Sequence, residues 1–556
     1  MWQAWKTGLL LAQQTDAAPQ VGSGAMLMLV LFIAGSLWIG VLANRAASTG
    51  GFMKGFFLGN RGLGVWALAL TATIQSGGTF MGFPSLVYSH GWIVALWIGS
   101  YMVVPITGFG ILGKRLAQLS RRTGAITVPD MFRVRFGSPT LGLMSTLFIL
   151  FYLSFLMFAQ FKAGAIVLQL AWPGGGDLAL SEDVAGISEW RYHVGLLVFA
   201  TTVVAYTLAG GFLAAVWTDL FQSVLMFAGV MLLLVACLSA VGGLEQATLR
   251  SLANTGPGFV FGPGYAADGS GHQFLPLSLA ISFFVVWIWG GVGAPAGLVR
   301  LMASQNTNVI RKSIYVLSIY NLGIYLPLIV ICVCGRALLP DLAKSDEIVP
   351  RLALLTTADW PGGSLVAGLI LAAPFGAVMS TVSSYLVVLS SGVVRDIYQR
   401  LLRPGAQRDE LRLAAWVTMI LAGLISVAVM WSPPKYLQVF IVFSTSGAAA
   451  TFLVPAVMAC YWRRATPAGV GAGMVSGAGV VLFLYLCGIM GWSPAQAIGA
   501  AGGFRPWFLL GLEPLIWGLL ASSSSAVLVS LVTAPLPAEH ISRLFDRRTG
   551  AEGEAV

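Results

Sequence analysis

Long apolar segments separated by short polar connections follow one another along almost the whole chain. Most of them reach the roughly 20 apolar residues that a helix needs to cross the hydrocarbon core of a bilayer. The segments, about 13 in all, lie near residues 25–44, 64–88, 91–113, 138–170, 193–209, 212–241, 274–297, 313–337, 362–391, 412–431, 437–461, 468–490 and 511–533. Strands that alternate polar and apolar residues are absent, so the pattern predicts an all-α bundle of transmembrane helices rather than a barrel.

Two of these segments are interrupted near their middles. The residues concerned are Gly77, Gly78, Gly82 and Pro84 in the second segment and Gly290, Gly291, Gly293 and Pro295 in the seventh. Interrupted helices persist in lipid only where the freed backbone lines a cavity or is buried in protein. A pair of them five segments apart is typical of a transporter built from two inverted five-helix repeats. The alternative is a pair of ordinary kinked helices packed through small residues.

The ninth segment carries hydroxyl groups at membrane depth. Ala377, Ser380, Thr381 and Ser384 follow the spacing i, i+3, i+4 and i+7, so they share one face of a helix. Hydroxyl and carbonyl oxygens are hard ligands that suit Na⁺ without a fixed negative charge. Small residues also let membrane helices pack closely, and this helix alone favours that interpretation. The two broken segments reverse the preference and make a sodium site the hypothesis.

Composition agrees with a polytopic membrane protein. The 556 residues are 57% hydrophobic and 9% charged, with a mean hydropathy of +0.84, whereas soluble domains carry about 25% charged residues. Of the 31 Lys and Arg residues, 22 fall in one alternate set of loops and 8 in the other. Positively charged loops remain cytoplasmic, which predicts an extracytoplasmic N-terminus and a cytoplasmic C-terminus. This asymmetry explains the net charge of +10 without a nucleic acid partner.

The same segments suggest four parts of the chain. Residues 1–24 form an extracytoplasmic tail, 25–465 a core, 466–534 two additional helices and 535–556 a cytoplasmic tail. The apolar run in the first part is too short to span, and we expect an uncleaved tail rather than a signal segment. Neither the five cysteines nor the four histidines have the spacing of a metal site or a catalytic cluster.

Several motifs resemble the sodium:solute symporter family. They are FFLGNRGLG (56–64), TATIQSGGTFMGFPSLVY (71–88), ILGKRLAQLSRRTGAITVPDMF (111–132), GGFLAAVWTDLFQ (210–222), GRALLPDLAKSDEIVP (335–350), and AAPFGAVMSTVSSYL (372–386) followed by RDIY (395–398). The similarity extends from about residue 25 to 465. The pattern is most similar to the sodium/pantothenate subgroup, and the WTD piece is equally similar to the proline subgroup.

This resemblance implies a LeuT-type fold, with spans 2–6 and 7–11 as the inverted repeats. It implies that sodium lies between the broken second span and the ninth. The implied ligands are the backbone carbonyls of Ala72, Gln75 and Ala377 and the hydroxyls of Ser380 and Thr381. Ile74 stands where the proline symporters have an aspartate, so any role of that aspartate is absent or moved.

Other polar residues inside or near the spans are candidates for gating or substrate binding. An ionisable residue in a membrane segment is a functional hypothesis by default. The family resemblance implies that Asp219 is a carboxylate of the sodium exit path or inner gate, the alternative being a helix cap after Gly210–Gly211. The substrate candidates are Gln75, Ser76, Gly77, Gln160, Lys162, Trp287, Trp289 and Gly290. Lys162 either meets a substrate carboxylate or extends along its stem to an interface.

Together these features predict a secondary transporter rather than an enzyme. We expect sodium-coupled symport of a small organic solute by alternating access, with pantothenate or another small carboxylate as substrate. Proline, another amino acid or a monocarboxylate is the alternative, followed by a proton-coupled carrier or a transporter-like sensor. Na⁺ is the coupling ion, and no cofactor, nucleic acid or obligate protein partner is expected. The location is the inner (plasma) membrane. We interpret Glu513 as interfacial. Asp130 and Arg133 are expected to organise a cytoplasmic loop, and a role in gating is the alternative.

Overall fold

A computed structural model describes residues 22–46, 52–72, 76–173, 185–262, 276–342, 344–433, 437–492 and 504–546. Throughout these ranges the regular secondary structure is helical. Apart from helices, the described residues form one isolated bridge, between Leu63 and Ser304. The predicted all-α class is therefore confirmed. Gln75, Ile74 and the ends of both predicted tails lie outside the described residues.

The main helices are numbered in chain order. They are α1 (Ser23–Ala46), α2 (Phe52–Leu58), α3 (Val65–Ala72), α4 (Phe83–His90), α5 (Leu96–Val104), α6 (Lys114–Thr123), α7 (Val128–Phe136), α8 (Pro139–Ala171), α9 (Ala185–Val241), α10 (Leu244–Thr255), α11 (Leu277–Gly293), α12 (Pro295–Met302), α13 (Thr307–Leu338), α14 (Ile348–Thr357), α15 (Gly363–Ser391), α16 (Arg408–Val429), α17 (Leu437–Tyr461), α18 (Pro467–Ile489), α19 (Pro514–Val532) and α20 (Ala538–Phe545). Wider π-helical turns precede α4 (Gly78–Gly82), join α5 to α6 (Pro105–Gly113) and extend α15 (Gly392–Leu402).

The described residues contain fewer membrane-length helices than the 13 predicted spans. Nine helices of the described residues are long and apolar enough to cross a membrane, and two bent pairs raise this number to 11. Part of the difference lies in α9, whose 57 residues run without a loop. Such a helix would be about 85 Å long, almost three times the roughly 30 Å of hydrocarbon. It is interrupted at Gly211, whose positive φ of 57° turns the chain where spans 5 and 6 were expected to meet.

Each predicted interruption has a break in helical structure at it or next to it, although in the second span the chain is helical from Gly77 to His90 and the break precedes Gly77. In the second span α3 ends at Ala72, Ser76 is not helical, and helical structure resumes before α4. In the seventh span α11 and α12 meet at Ala294 and are bent by 44°. The proline at the first position of α12 has no N–H to lose there and fits a helix start. Backbone groups are thus freed at two places inside the bundle.

Helix α15 forms the centre of the bundle. All but four of its 29 residues are buried, and it contacts α1, α8 and α9. Small residues make these contacts close, because a side chain at Gly368 would meet the backbone of Ala25 and one at Gly229 would meet Ala373. The hydroxyl-bearing helix is therefore enclosed by protein on all sides rather than facing lipid.

Candidate binding site at the broken helices

The predicted hydroxyl face of α15 is buried and internally bonded. Ser380 Oγ and Thr381 Oγ1 both donate to the carbonyl oxygen of Ala377, at 2.9 and 2.8 Å. One turn further on, Ser384 donates to the carbonyl oxygen of Ser380. The side-chain and carbonyl oxygens of this face therefore follow one another along two helical turns, as the spacing predicted.

The break in the second span lies against this helix. A side chain at Gly77 would approach the Val378 side chain to 3.5 Å and that of Ala163 to 2.8 Å. The Gly77 N–H donates to Gln160 Oε1 on α8 over 2.7 Å. Two of the predicted substrate residues, Gly77 and Gln160, are therefore in direct contact, and they hold the break of the second span between α8 and α15.

A buried ion pair lies beside the hydroxyl face. Arg300 Nη2 on α12 is 2.6 Å from Asp219 Oδ2 on α9, and both side chains are almost completely buried. The same guanidinium donates from Nε to Thr71 Oγ1 at 3.2 Å and from Nη2 to Ser384 Oγ. It thus joins four helices: α3, α9, α12 and α15. Thr71 precedes Ala72, the end of α3, and Ser384 is one turn from Ser380.

Arg300 was missed as a site residue because the sequence placed it among the cytoplasmic loop charges. The structure buries it within α12, which continues the apolar run beyond the break of the seventh span. One signal was available in the sequence. Asp219 lies inside an apolar segment and needs a cation, since a buried charge without a partner is costly.

A cavity of about 130 Å³ lies between the two broken spans and α17. Three predicted substrate residues line it, namely Ser76, Trp287 and Gly290, whereas Trp289 does not. The other hydroxyl groups in its wall belong to Tyr101, Tyr325, Tyr385, Ser444 and Thr445. Among the described residues of this wall no side chain carries a charge.

Aromatic rings and freed backbone shape two sides of the cavity. Tyr101 stacks on Tyr325 with ring centroids 4.2 Å apart and on Trp287 at 5.4 Å. The first turn of α12 contributes Ala296 and Gly297 to the lining. N–H groups in the first turn of a helix have no intrahelical partner and carry a partial positive charge. The cavity therefore combines hydroxyl groups, an aromatic wall and backbone donors suited to an anionic group.

Lys162 points away from this cavity. Its Nζ lies 3.7 Å from Asp346 Oδ2, in the connection between α13 and α14, and both side chains are largely buried. The same connection is bonded to the second span, because Ser85 Oγ and Ser345 Oγ are 2.5 Å apart. Tyr88 donates to the carbonyl oxygen of Leu339. This connection covers one end of the second span and of α8, opposite the end where Asp219 lies.

Glu513 is not interfacial, as was expected from its position near the end of a span. Its side chain is fully buried. Glu513 Oε2 accepts from the Leu515 N–H at 2.6 Å and so caps α19, while Oε1 accepts from Ser446 Oγ at 2.7 Å. Ser446 belongs to α17, the helix that also forms part of the cavity wall. Tertiary packing of α19 against α17 therefore encloses this carboxylate.

Asp130 joins α7, the helix before α8, to the π-helical extension of α15. It forms an ion pair with Arg400, and Thr127 donates to Asp396 Oδ2 at 2.9 Å. The Asp130 side chain also accepts from the Ile126 N–H. Asp130 and Arg133 lie in helix α7 rather than in the predicted loop, and the contacts of Asp130 tie α7 to the helix that carries Ser380 and Thr381.

An all-helical membrane bundle with two broken spans around a buried cavity defines a secondary transporter. The chain belongs to the sodium:solute symporter family, whose model matches residues 56–477. It is 32% identical over 481 residues to a sodium/pantothenate symporter of Haemophilus influenzae, covering 84% of this chain and 91% of the relative. A sodium/pantothenate symporter of Escherichia coli is also 32% identical, over 81% of this chain and 88% of that one.

More distant relatives include a high-affinity proline transporter of Bacillus subtilis, 26% identical over 92% of this chain and 98% of the relative. Among solved structures, a Na⁺-coupled sialic acid symporter in a substrate-bound outward-open state matches with a TM-score of 0.67 and 18% identity. That match covers 93% of this chain and 99% of the symporter. The likeness shows a shared fold. The protein is thus a sodium-coupled transporter of small solutes in a membrane, and its relatives are not enzymes.

Proposed function

We propose that this protein carries a small carboxylate, with pantothenate as the first choice, into the cell together with Na⁺. The observation that carries the proposal is the uncharged, hydroxyl-rich cavity at the two helix breaks. Pantothenate has two hydroxyl groups, an amide and one carboxylate, and no cationic group. Hydroxyl groups of the wall suit the hydroxyl groups and the amide of pantothenate, and the N–H groups at the start of α12 suit its carboxylate.

Proline, unlike pantothenate, carries an ammonium group. A buried ammonium needs an anionic or several neutral acceptors, and no carboxylate side chain belongs to the described part of the cavity wall. The 32% identity to sodium/pantothenate symporters, against 26% for the proline transporter, supports the same choice. Proline or a monocarboxylate remains the competing substrate in the test.

For sodium we propose the carbonyl oxygens of Ala72, Gln75 and Ala377 and the hydroxyls of Ser380 and Thr381. The closeness of Gly77 to Val378 supports this assignment, as does the guanidinium of Arg300, which reaches both Thr71 and Ser384. These contacts bring both halves of the broken second span close to α15. Sodium held there would join the second span to α15 and stabilise one state of the bundle.

We propose that the Asp219–Arg300 pair is the inner gate and that the connection containing Asp346 covers the outer entrance. The pair connects α9 of the first predicted repeat to α12 of the second, so the two repeats cannot separate there while it is intact. Opening of this end would release sodium into the cytoplasm, past Asp219. With the predicted orientation, inward movement of Na⁺ gains about 2.3 kcal/mol per 100 mV of membrane potential.

The proposal is tested by uptake of radiolabelled pantothenate into proteoliposomes with an inside-negative potential, with external sodium or potassium. We expect uptake with external sodium and none with external potassium. Excess unlabelled pantothenate should inhibit this uptake, and excess proline should not. Inhibition by proline would replace pantothenate by proline in the substrate assignment and leave the assignment as a sodium symporter unchanged. Equal uptake with potassium would contradict the assigned coupling ion.

A further inference from the structure

A second cavity adjoins the third predicted span, where Phe109 lines both this cavity and the one at the helix breaks. Its volume is about 390 Å³, and it opens between the start of α6 and the start of α13. Apolar walls come from Phe109 and Ile314, and basic side chains from Lys114 and Arg311. The two helices touch beneath the cavity, because a side chain at Gly113 would meet Ile310 at 3.0 Å. We call this cavity the basic groove.

The two cations of the basic groove are exposed and unpaired. Across the described ranges neither Lys114 nor Arg311 forms an ion pair or a side-chain hydrogen bond. They come from helices almost 200 residues apart in sequence, so their convergence results from the fold. Asn308 in the first turn of α13 adds an exposed amide beside them. The basic groove thus presents positive charge and polar donors without an acidic residue of its own in its lining.

An apolar, outward-facing stripe begins at the basic groove. On α13, Arg311 is followed at intervals of four residues by Tyr315 and Ile319, which are 70% and 72% exposed. Ile106, in the π-helical turn before Lys114, is 60% exposed. Such residues on a membrane-length helix face acyl chains. The cations therefore stand where the lipid-facing surface ends, at the level of phospholipid headgroups.

From this arrangement we infer that the basic groove binds the phosphate headgroup of an anionic phospholipid, whose acyl chains lie along Tyr315 and Ile319. A free phosphate would satisfy the cations, but it has no apolar group to contact the apolar walls or the stripe beyond them. Basic pockets between helices at the membrane surface bind acidic lipid headgroups in this manner. The inferred lipid bridges the third and eighth predicted spans. The inference does not depend on the transported substrate.

Native mass spectrometry of the purified protein tests the inference, after incubation with equal amounts of phosphatidylglycerol and phosphatidylcholine. We expect preferential retention of phosphatidylglycerol. Each cation near an anionic lipid contributes about a fivefold gain in binding, so Lys114→Gln with Arg311→Gln is expected to lower the preference by about 30-fold. The matched control is Arg403→Gln with Arg408→Gln, which removes two exposed cations outside the basic groove.

Three outcomes would overturn the inference. The first is equal loss of preference in the groove and control variants, which would reveal a general effect of surface charge. The second is displacement of phosphatidylglycerol by millimolar inorganic phosphate, which would define a site for the free anion. The third is loss of preference in the charge-conserving variant Lys114→Arg with Arg311→Lys, which is expected to retain it. Circular dichroism of each variant verifies that it is folded.

Discussion

Asp219 and Arg300 form an ion pair of 2.6 Å in the interior of the bundle, between the sixth and seventh predicted spans. The guanidinium simultaneously contacts Thr71 and Ser384, which belong to the second and ninth. One side chain therefore connects the four helices around the proposed sodium site. Two buried charges are stable there because each neutralises the other, and the hydroxyls satisfy further N–H groups.

Removal of one partner of this pair is expected to destabilise the protein strongly. Arg300→Gln leaves Asp219 buried without a cation, which costs about 3–5 kcal/mol. We expect a lower thermal unfolding temperature in detergent, measured by fluorescence of the purified variant, and loss of sodium-driven uptake. The double change Asp219→Asn with Arg300→Gln should be less destabilised than Arg300→Gln alone.

The control for this prediction is an exposed pair, Arg463 with Asp546, also 2.6 Å apart but with side chains that are 59% and 50% exposed. Exposed pairs contribute about 0–1 kcal/mol, so Asp546→Asn should leave the unfolding temperature nearly unchanged. Equal effects of Asp546→Asn and Arg300→Gln would contradict the importance assigned to burial.

Loss of either hydroxyl from the proposed sodium site should weaken sodium binding. For Ser380→Ala and Thr381→Ala we expect the sodium concentration at half-maximal uptake to rise about tenfold or more, since a contact to a charged group contributes about 1.5–3 kcal/mol. Ser390→Ala on the same helix is the matched control. Ser390 is also buried, but it lies near the C-terminal end of α15 and donates to the carbonyl oxygen of Ala415. A parallel loss of membrane abundance would point to a folding role for Ser380.

Lys162 and Asp346 should behave as a coupled pair in a double-mutant cycle. The single changes Lys162→Met and Asp346→Asn are expected to reduce uptake, and the double variant should lose less than the sum, with a coupling energy of about 0.5–3 kcal/mol. Initial uptake rates over a range of substrate concentrations measure this. If only Lys162→Met raises the KM, and Asp346→Asn is neutral, Lys162 contacts the substrate and the proposed outer closure is wrong.

A methyl group at Gly77 should disturb the break in the second span. The added carbon would lie 2.8 Å from the Ala163 side chain and 3.1 Å from Gln160 Oε1, and overpacking of this kind costs about 1–3 kcal/mol. Gly77→Ala is therefore expected to lower the unfolding temperature and uptake. Gly479→Ala, where nothing lies within 4 Å, is expected to be neutral or slightly stabilising. A neutral Gly77→Ala would show that the break adapts freely.

Local features of the chain were sufficient for much of this architecture. Hydrophobic length identified the apolar segments. The glycine and proline positions at 290–295 located the break of the seventh span, and those at 77–84 missed the break of the second by a few residues, because backbone propensity acts within a few residues. The face of Ala377, Ser380 and Thr381 also followed from helical spacing alone. The boundary expected between the fifth and sixth spans, at residues 210–211, coincides with the interruption at Gly211, although the structure runs both spans together as one helix.

Partners distant in sequence were decided only by tertiary structure. Asp219 was expected at an inner gate, but its cation, Arg300, was assigned to a loop. Lys162 meets Asp346 rather than lining the cavity, and Glu513 is enclosed by α17 rather than interfacial. Sequence patterns report which positions avoid water, whereas the pairing of buried charges depends on which helices the fold brings within about 3 Å of one another. The sequence by itself therefore determined the membrane class, the broken spans and the hydroxyl face, and the fold decided which buried charges pair with one another.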